Sequence, residues 1–207
     1  MVASAQALWL DLPGGRHQAV LEKAATPAKG LAFVAHPHPL FGGTMDNKVV
    51  QTLSRAYVQS GWDCLRFNFR GVGQSEGVYD EGLGETDDVL EALRQLAPEG
   101  PLALAGFSFG AYVVCQAISQ LWPSQRLEKI VLVGTAVTHF NPTPLPTELH
   151  DQTLVLHGES DDTVALPAVL QWAAPQGLPV TVVPACGHFF HGQLPLLKSL
   201  VLRHLRA

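Results

Sequence analysis

Leu102-Ala103-Leu104-Ala105-Gly106-Phe107-Ser108-Phe109-Gly110 is the stretch whose reading decides the fold. Leu102 to Phe107 is an uncharged, mostly apolar run of strand length, as a strand covered on both faces requires. It leads directly into Ser108, and a helical pattern then runs from Phe109 to about Leu121, stopped by Pro123. A turn this tight forces its apex residue into a strained backbone conformation, and side chains flanking it collide with neighbouring backbone. Gly106 and Gly110 remove those side chains. The turn also leaves Ser108 at a helix N-terminus, where free N–H groups and the dipole favour developing negative charge. Ser108 therefore reads as the nucleophile of a G-x-S-x-G elbow. A helix N-cap in a glycine-rich turn is the plainer reading of the pentapeptide alone.

Outward from this point, short apolar runs alternate with helical patterns, the mark of a mostly parallel, doubly wound α/β sheet. Ala7–Leu12 and Gln18–Glu22 around Pro13-Gly14-Gly15-Arg16 predict an opening antiparallel hairpin. Leu31–Ala35 is a further buried strand. Helical spacing from Asn47 to Ser60 has Asp46 as its expected N-cap and Gly61 as its terminating glycine. A strand is expected over Trp62–Phe69 and a helix from Thr86 to Ala97. Lys129–Val133, Leu154–His157 and Val180–Val183 complete the strands. Helices are expected around Pro167–Ala174 and from about Gln193 to Leu205. Neither repeat nor linker divides residues 1–207, so one domain is expected.

A serine hydroxyl needs a positioned base, usually a histidine oriented by a carboxylate. With a nucleophile on such an elbow, the chain order is Ser, acid, His. His188 follows the last strand in Pro184-Ala185-Cys186-Gly187-His188-Phe189-Phe190-His191-Gly192, on a loop at a strand's carboxyl end. His191 is its nearest rival. His17, His139, His150 and His204 read as surface or loop residues, and His157 as a structural hydrogen-bonding residue at a strand end. For the acid, Gly158-Glu159-Ser160-Asp161-Asp162 places Asp161 first, with Asp162 a competitor and Glu159 a solvated loop residue.

An oxyanion needs two aimed donors. One is the backbone N–H of Phe109. The second is sought in His36-Pro37-His38-Pro39-Leu40-Phe41-Gly42-Gly43, where the prolines have no N–H, leaving His38 first and Leu40 behind it. His36 and His38 as a metal pair lack companions of ligand spacing. Gly71-Val72-Gly73 lacks the rest of a phosphate-binding motif. No cofactor and no metal are expected.

H-P-H-P-L-F-G-G (36–43), F-R-G-V-G-Q-S (69–75), G-F-S-F-G (106–110), G-E-S-D-D (158–162) and G-H-F-F-H-G (187–192) together resemble the small α/β-hydrolases that lack a cap domain, related to dienelactone hydrolases and short carboxylesterases. The resemblance implies the α/β-hydrolase fold, a Ser108–Asp161–His188 triad and no cofactor, and it leaves the substrate open. Thr138 to Gln152, where larger relatives insert a lid, is too short for one. An open cleft is expected, lined partly by Phe41, Phe109, Phe140, Phe189 and Phe190, which read equally well as ordinary core or wall residues, with Leu40, Phe41 and Phe189 as substrate-binding candidates.

A net charge of −5 and a pI near 5.9 give no electrostatic case for nucleic acid or an anionic membrane. The start, Met1 to Gln6, has no basic residue and fits neither a secretory leader nor a membrane span. Three widely spaced cysteines, Cys64, Cys115 and Cys186, suit the reducing cytoplasm and no disulfide framework. The expected partner is a small-molecule ester substrate, cleaved through an acyl-enzyme. Thioester or peptide cleavage, acyl transfer, a non-catalytic binding module and a Cys186 thiol chemistry are the alternatives; oligomeric state is not legible.

Overall fold

The computed structural model describes residues 4–25 and 27–207. Met1 to Ala3, on which the expected leaderless start partly rests, lie outside the described residues, as does Thr26. Among the described residues, eight strands form one sheet: β1 (Ser4–Leu12), β2 (Gly15–Lys23), β3 (Leu31–Ala35), β4 (Asp63–Phe67), β5 (Leu102–Phe107), β6 (Leu127–Val133), β7 (Thr153–Gly158) and β8 (Val180–Val183). Their spatial order is β1-β2-β4-β3-β5-β6-β7-β8. The hairpin β1–β2 is antiparallel and joins β4 antiparallel, while β4 through β8 run parallel. The sheet is thus the mostly parallel α/β sheet with an N-terminal antiparallel hairpin that the sequence predicts.

Period-2 alternation sends each central strand to two cores. On one face, Phe33, Leu104, Ile130 and Leu132 pack under α2 (Leu83–Leu96), α3 (Phe109–Leu121) and α4 (Leu166–Ala173). On the other, Val34, Ala105, Val131 and Val133 pack under α1 (Lys48–Gln59) and α5 (Leu194–Arg206). Helix α3 is apolar almost all round because it crosses the centre of its layer. Burying Val113, Val114 and Ile118 there contributes about 1.5–3 kcal/mol apiece.

Several boundaries differ from expectation for identifiable reasons. Asn47, not Asp46, caps α1, its Oδ1 accepting from Val49 N–H at 2.9 Å, while Asp46 pairs with Arg66 at 3.1 Å. Helix α2 starts three residues before Thr86 because the buried Glu85 carboxylate accepts from Asp80 and Gly82 N–H. Strand β4 ends at Phe67: Phe69 N–H instead donates to His36 Nε2, and Asn68 Oδ1 accepts from Met45 N–H.

His17 is not a surface residue. It is buried 3.2 Å from Asp88, whose carboxylate also accepts from Arg70 and from Gly14 N–H. This cluster ties the hairpin turn to α2. Burial pushes the Asp88 carboxyl up, but the His17 ring beside it and the hydrogen bonds from Arg70 and Gly14 outweigh it and hold it below the ordinary value.

Candidate active site

Four strand ends at the carboxyl edge of the sheet build the site. Ser108 follows β5 with φ 57° and ψ −117°, a conformation L-residues rarely adopt. Its N–H donates to Val133 carbonyl at 2.8 Å, which holds the strained turn. The flanking glycines are obligatory for the reason expected. A Cβ at Gly110 meets the carbonyl oxygens of Ala35 and His36 at 2.5 and 2.6 Å, and one at Gly106 meets the backbone of Gly110 and Ala111.

His188 arrives from the loop after β8. Its Nε2 lies 3.0 Å from Ser108 Oγ, and its Nδ1 lies 2.7 Å from Asp161 Oδ2. With Asp161 ionised, Nδ1 carries the proton and Nε2 accepts from the serine hydroxyl. The ring is buried between Phe107 and Phe189, with centroids 4.8 and 5.1 Å away. Gly134 clears its edge, since a Cβ there stands 3.1 Å from His188 Cε1. Chain reversal in this loop falls to Ala185 and Phe190, at φ 51° and 52°, together with Gly192. The rival His191 is exposed, and the Ser108 hydroxyl is bonded to His188 instead.

Asp161 sits in the turn after β7. Its Oδ1 accepts from Thr163 N–H (3.0 Å) and Val164 N–H (2.7 Å), leaving Oδ2 for His188. Burial alone raises this carboxyl, but the His188 and Val164 hydrogen bonds and nearby imidazoles bring it below its usual value. Asp162 is exposed and reaches only the Thr163 hydroxyl at 3.5 Å. Glu159 is more than a solvated residue: it accepts from Ala185 N–H at 2.9 Å and so tethers the His188 loop.

The loop after β3 faces this row. Both ring nitrogens of buried His36 are occupied: Nδ1–H donates to Pro37 carbonyl (2.6 Å) and Nε2 accepts from Phe69 N–H (2.9 Å). Desolvation lowers its pKa to about 4. His38 Nδ1 accepts from Leu40 N–H at 3.2 Å, which uses that donor within the loop, and its Nε2–H donates to Tyr79 Oη at 3.2 Å. The two histidines are therefore engaged in holding the loop's shape. Among the described residues, neither His38 N–H nor Phe109 N–H has a protein acceptor.

A pocket of about 130 Å³ opens beside Ser108 and His188, walled by His38, Phe41, Asn47, Thr163 and Phe189. Phe41 and Phe189 are exposed at its rim. Leu40 is also exposed but does not line it. Phe109 and Phe190 are wholly buried core residues, not cleft walls, and Phe140 packs against Phe109, Tyr112 and the His38 ring. Tyr79, Asn47 and Thr163 join the site without a signal in the sequence, because each lies in or beside a polar loop with no periodicity. Among the described residues, no group of three or more His, Cys, Asp or Glu is placed to hold a metal ion. No helix there is long and apolar enough to cross a membrane.

Comparison with known proteins agrees with this architecture. Residues 38–152 match the family model described as the alpha/beta hydrolase fold. An uncharacterized protein of Rickettsia prowazekii is 42% identical over 170 residues, covering 76% of this chain and 68% of that protein. The human mitochondrial palmitoyl-protein thioesterase ABHD10 is 38% identical over 94 residues, 41% of this chain and 29% of that protein. A solved a/b serine hydrolase without lid from Xanthomonas campestris superposes with a TM-score of 0.86 at 34% identity, covering 100% of this chain and 95% of that one. The chain belongs to the α/β-hydrolase fold family.

Proposed function

We propose that this hydrolase cleaves a carboxylic ester or thioester of a small substrate through an acyl-enzyme on Ser108. The observation that carries the reading is the unbroken relay Ser108 Oγ–His188 Nε2, His188 Nδ1–Asp161 Oδ2, at 3.0 and 2.7 Å. Ser108 Oγ attacks the carbonyl carbon while His188 Nε2 takes its proton. The oxyanion draws on Phe109 N–H, at the head of α3, and His38 N–H. His188 returns the proton to the departing alcohol or thiol as the acyl–Ser108 ester forms. Water, deprotonated by His188, then attacks that ester and releases the acid and free Ser108. Asp161 keeps the imidazole oriented and balances its transient charge.

The thioester form is favoured by the likeness to a palmitoyl-protein thioesterase. Three free, buried cysteines support placing the protein in the cytoplasm. The reading is tested by steady-state hydrolysis of p-nitrophenyl esters and acyl thioesters of graded chain length, wild type against Ser108→Ala. Wild type should turn over at least one series and the variant none. Absence of turnover on both, or equal rates in the variant, defeats it.

A further inference from the structure

We propose that His157 is a positioning residue for this reaction, holding Asp161 in line with His188 through Val164; the inference rests on the assignment of Ser108, Asp161 and His188 made above. His157 lies in β7 and is wholly buried. Its Nε2 stands 2.8 Å from Val164 carbonyl and 3.5 Å from Asp161 Oδ2. A carbonyl only accepts, so Nε2 carries the proton. Val164 N–H in turn donates to Asp161 Oδ1 at 2.7 Å. One residue is thereby gripped at both ends, its carbonyl by His157 and its amide by the carboxylate that orients His188.

The other ring nitrogen sharpens the point. Nδ1 is buried with no partner among the described residues, an unfavourable state that a leucine or phenylalanine filling the same space would avoid. What the imidazole offers in exchange is the Nε2–H directed at the Asp161 turn. Burial holds the ring below its ordinary pKa, so this neutral form persists at neutral pH. His157 lies behind Asp161 and does not line the substrate pocket. Losing its donor should therefore reduce turnover and leave binding alone.

The test uses His157→Gln, whose amide replaces the Nε2–H, and His157→Leu, which has no donor, each alone and combined with Asp161→Asn. The glutamine variant should keep kcat within about threefold. The leucine variant should lose about tenfold to a hundredfold in kcat, the scale of a small misplacement, with KM within about twofold. In the Asp161→Asn background the leucine substitution should cost nothing more. Full kcat in the leucine variant, an equal loss in the glutamine variant, or the same fractional loss in both backgrounds overturns the proposal. Should the leucine variant fail to fold, ¹⁵N-histidine NMR of wild type decides: an Nε2–H tautomer is expected at His157, and an Nδ1–H tautomer overturns it. Failure of the triad itself is distinguishable, because Ser108→Ala would then stay active whatever His157 does.

Discussion

Replacing Asp161 by asparagine removes one charge and almost no volume, yet its surroundings dictate how the amide sits. Oδ1 accepts from two backbone N–H groups, of Thr163 and Val164. An NH2 group there would face two donors, so the amide oxygen stays and the NH2 takes the Oδ2 position. That position is 2.7 Å from His188 Nδ1. Two donors cannot share the contact, and His188 moves its proton to Nε2, the nitrogen 3.0 Å from Ser108 Oγ. The imidazole then donates to the serine instead of accepting its proton, and the counter-charge for the imidazolium disappears with it. A wrong tautomer of this kind lowers kcat about 10⁴-fold, about 5 kcal/mol of transition-state stabilisation at about 1.36 kcal/mol per decade. The assay is initial-rate hydrolysis of a short p-nitrophenyl ester, with folding checked by circular dichroism. Asp162→Asn, altering an exposed carboxylate, should keep full activity. A loss below tenfold in Asp161→Asn, or a greater loss in Asp162→Asn, refutes the assignment.

Three further outcomes follow from the same geometry. Gly110→Ala forces a Cβ against two backbone carbonyls at 2.5 and 2.6 Å, and should lower stability by about 3 kcal/mol or more; an unchanged urea midpoint contradicts this. His36, at 6.5 when unfolded and about 4 when folded, binds protons more readily in the unfolded chain between those values. Its contribution is complete above pH 6.5 and is lost as pH falls toward 4, by about 3 kcal/mol at about 1.36 kcal/mol per pH unit. Between pH 7.5 and 5, about 1.5 units below the unfolded value, urea titrations should show about 2 kcal/mol of this loss in wild type and a smaller one in His36→Gln; identical losses count against the assignment. Tyr79→Phe removes the acceptor of the His38 Nε2–H bond at 3.2 Å. Loosening that loop should reduce kcat by about threefold to tenfold, the worth of one net hydrogen bond, with KM nearly unchanged; undiminished kcat means Tyr79 does not steady the loop.

Much of this was legible in the sequence, and particular residues show why. The elbow announces itself because its two glycines, its strand and its helix each express the same turn. Asp161 and His188 were legible through chain order and their places after strands. Local features also misled. Asp46 and Asn47 are both good caps, and the choice depends on Arg66 drawing Asp46 away. His17 looked like a surface residue because its partner Asp88 lies on a helix far along the chain. For Phe109 and Phe190 the sequence leaves cleft wall and core equally open, and tertiary packing buries both. The order of β4 and β3 in the sheet carries no local signature at all.

Every step proposed for this site starts from Ser108 as the nucleophile. Incubation with a fluorophosphonate, followed by digestion and peptide mass spectrometry, reads that role out at the residue itself. A single covalent phosphonyl adduct is expected on the peptide carrying Ser108, abolished in Ser108→Ala and slowed in Asp161→Asn. An unlabelled wild type, or an adduct that persists in Ser108→Ala, contradicts it.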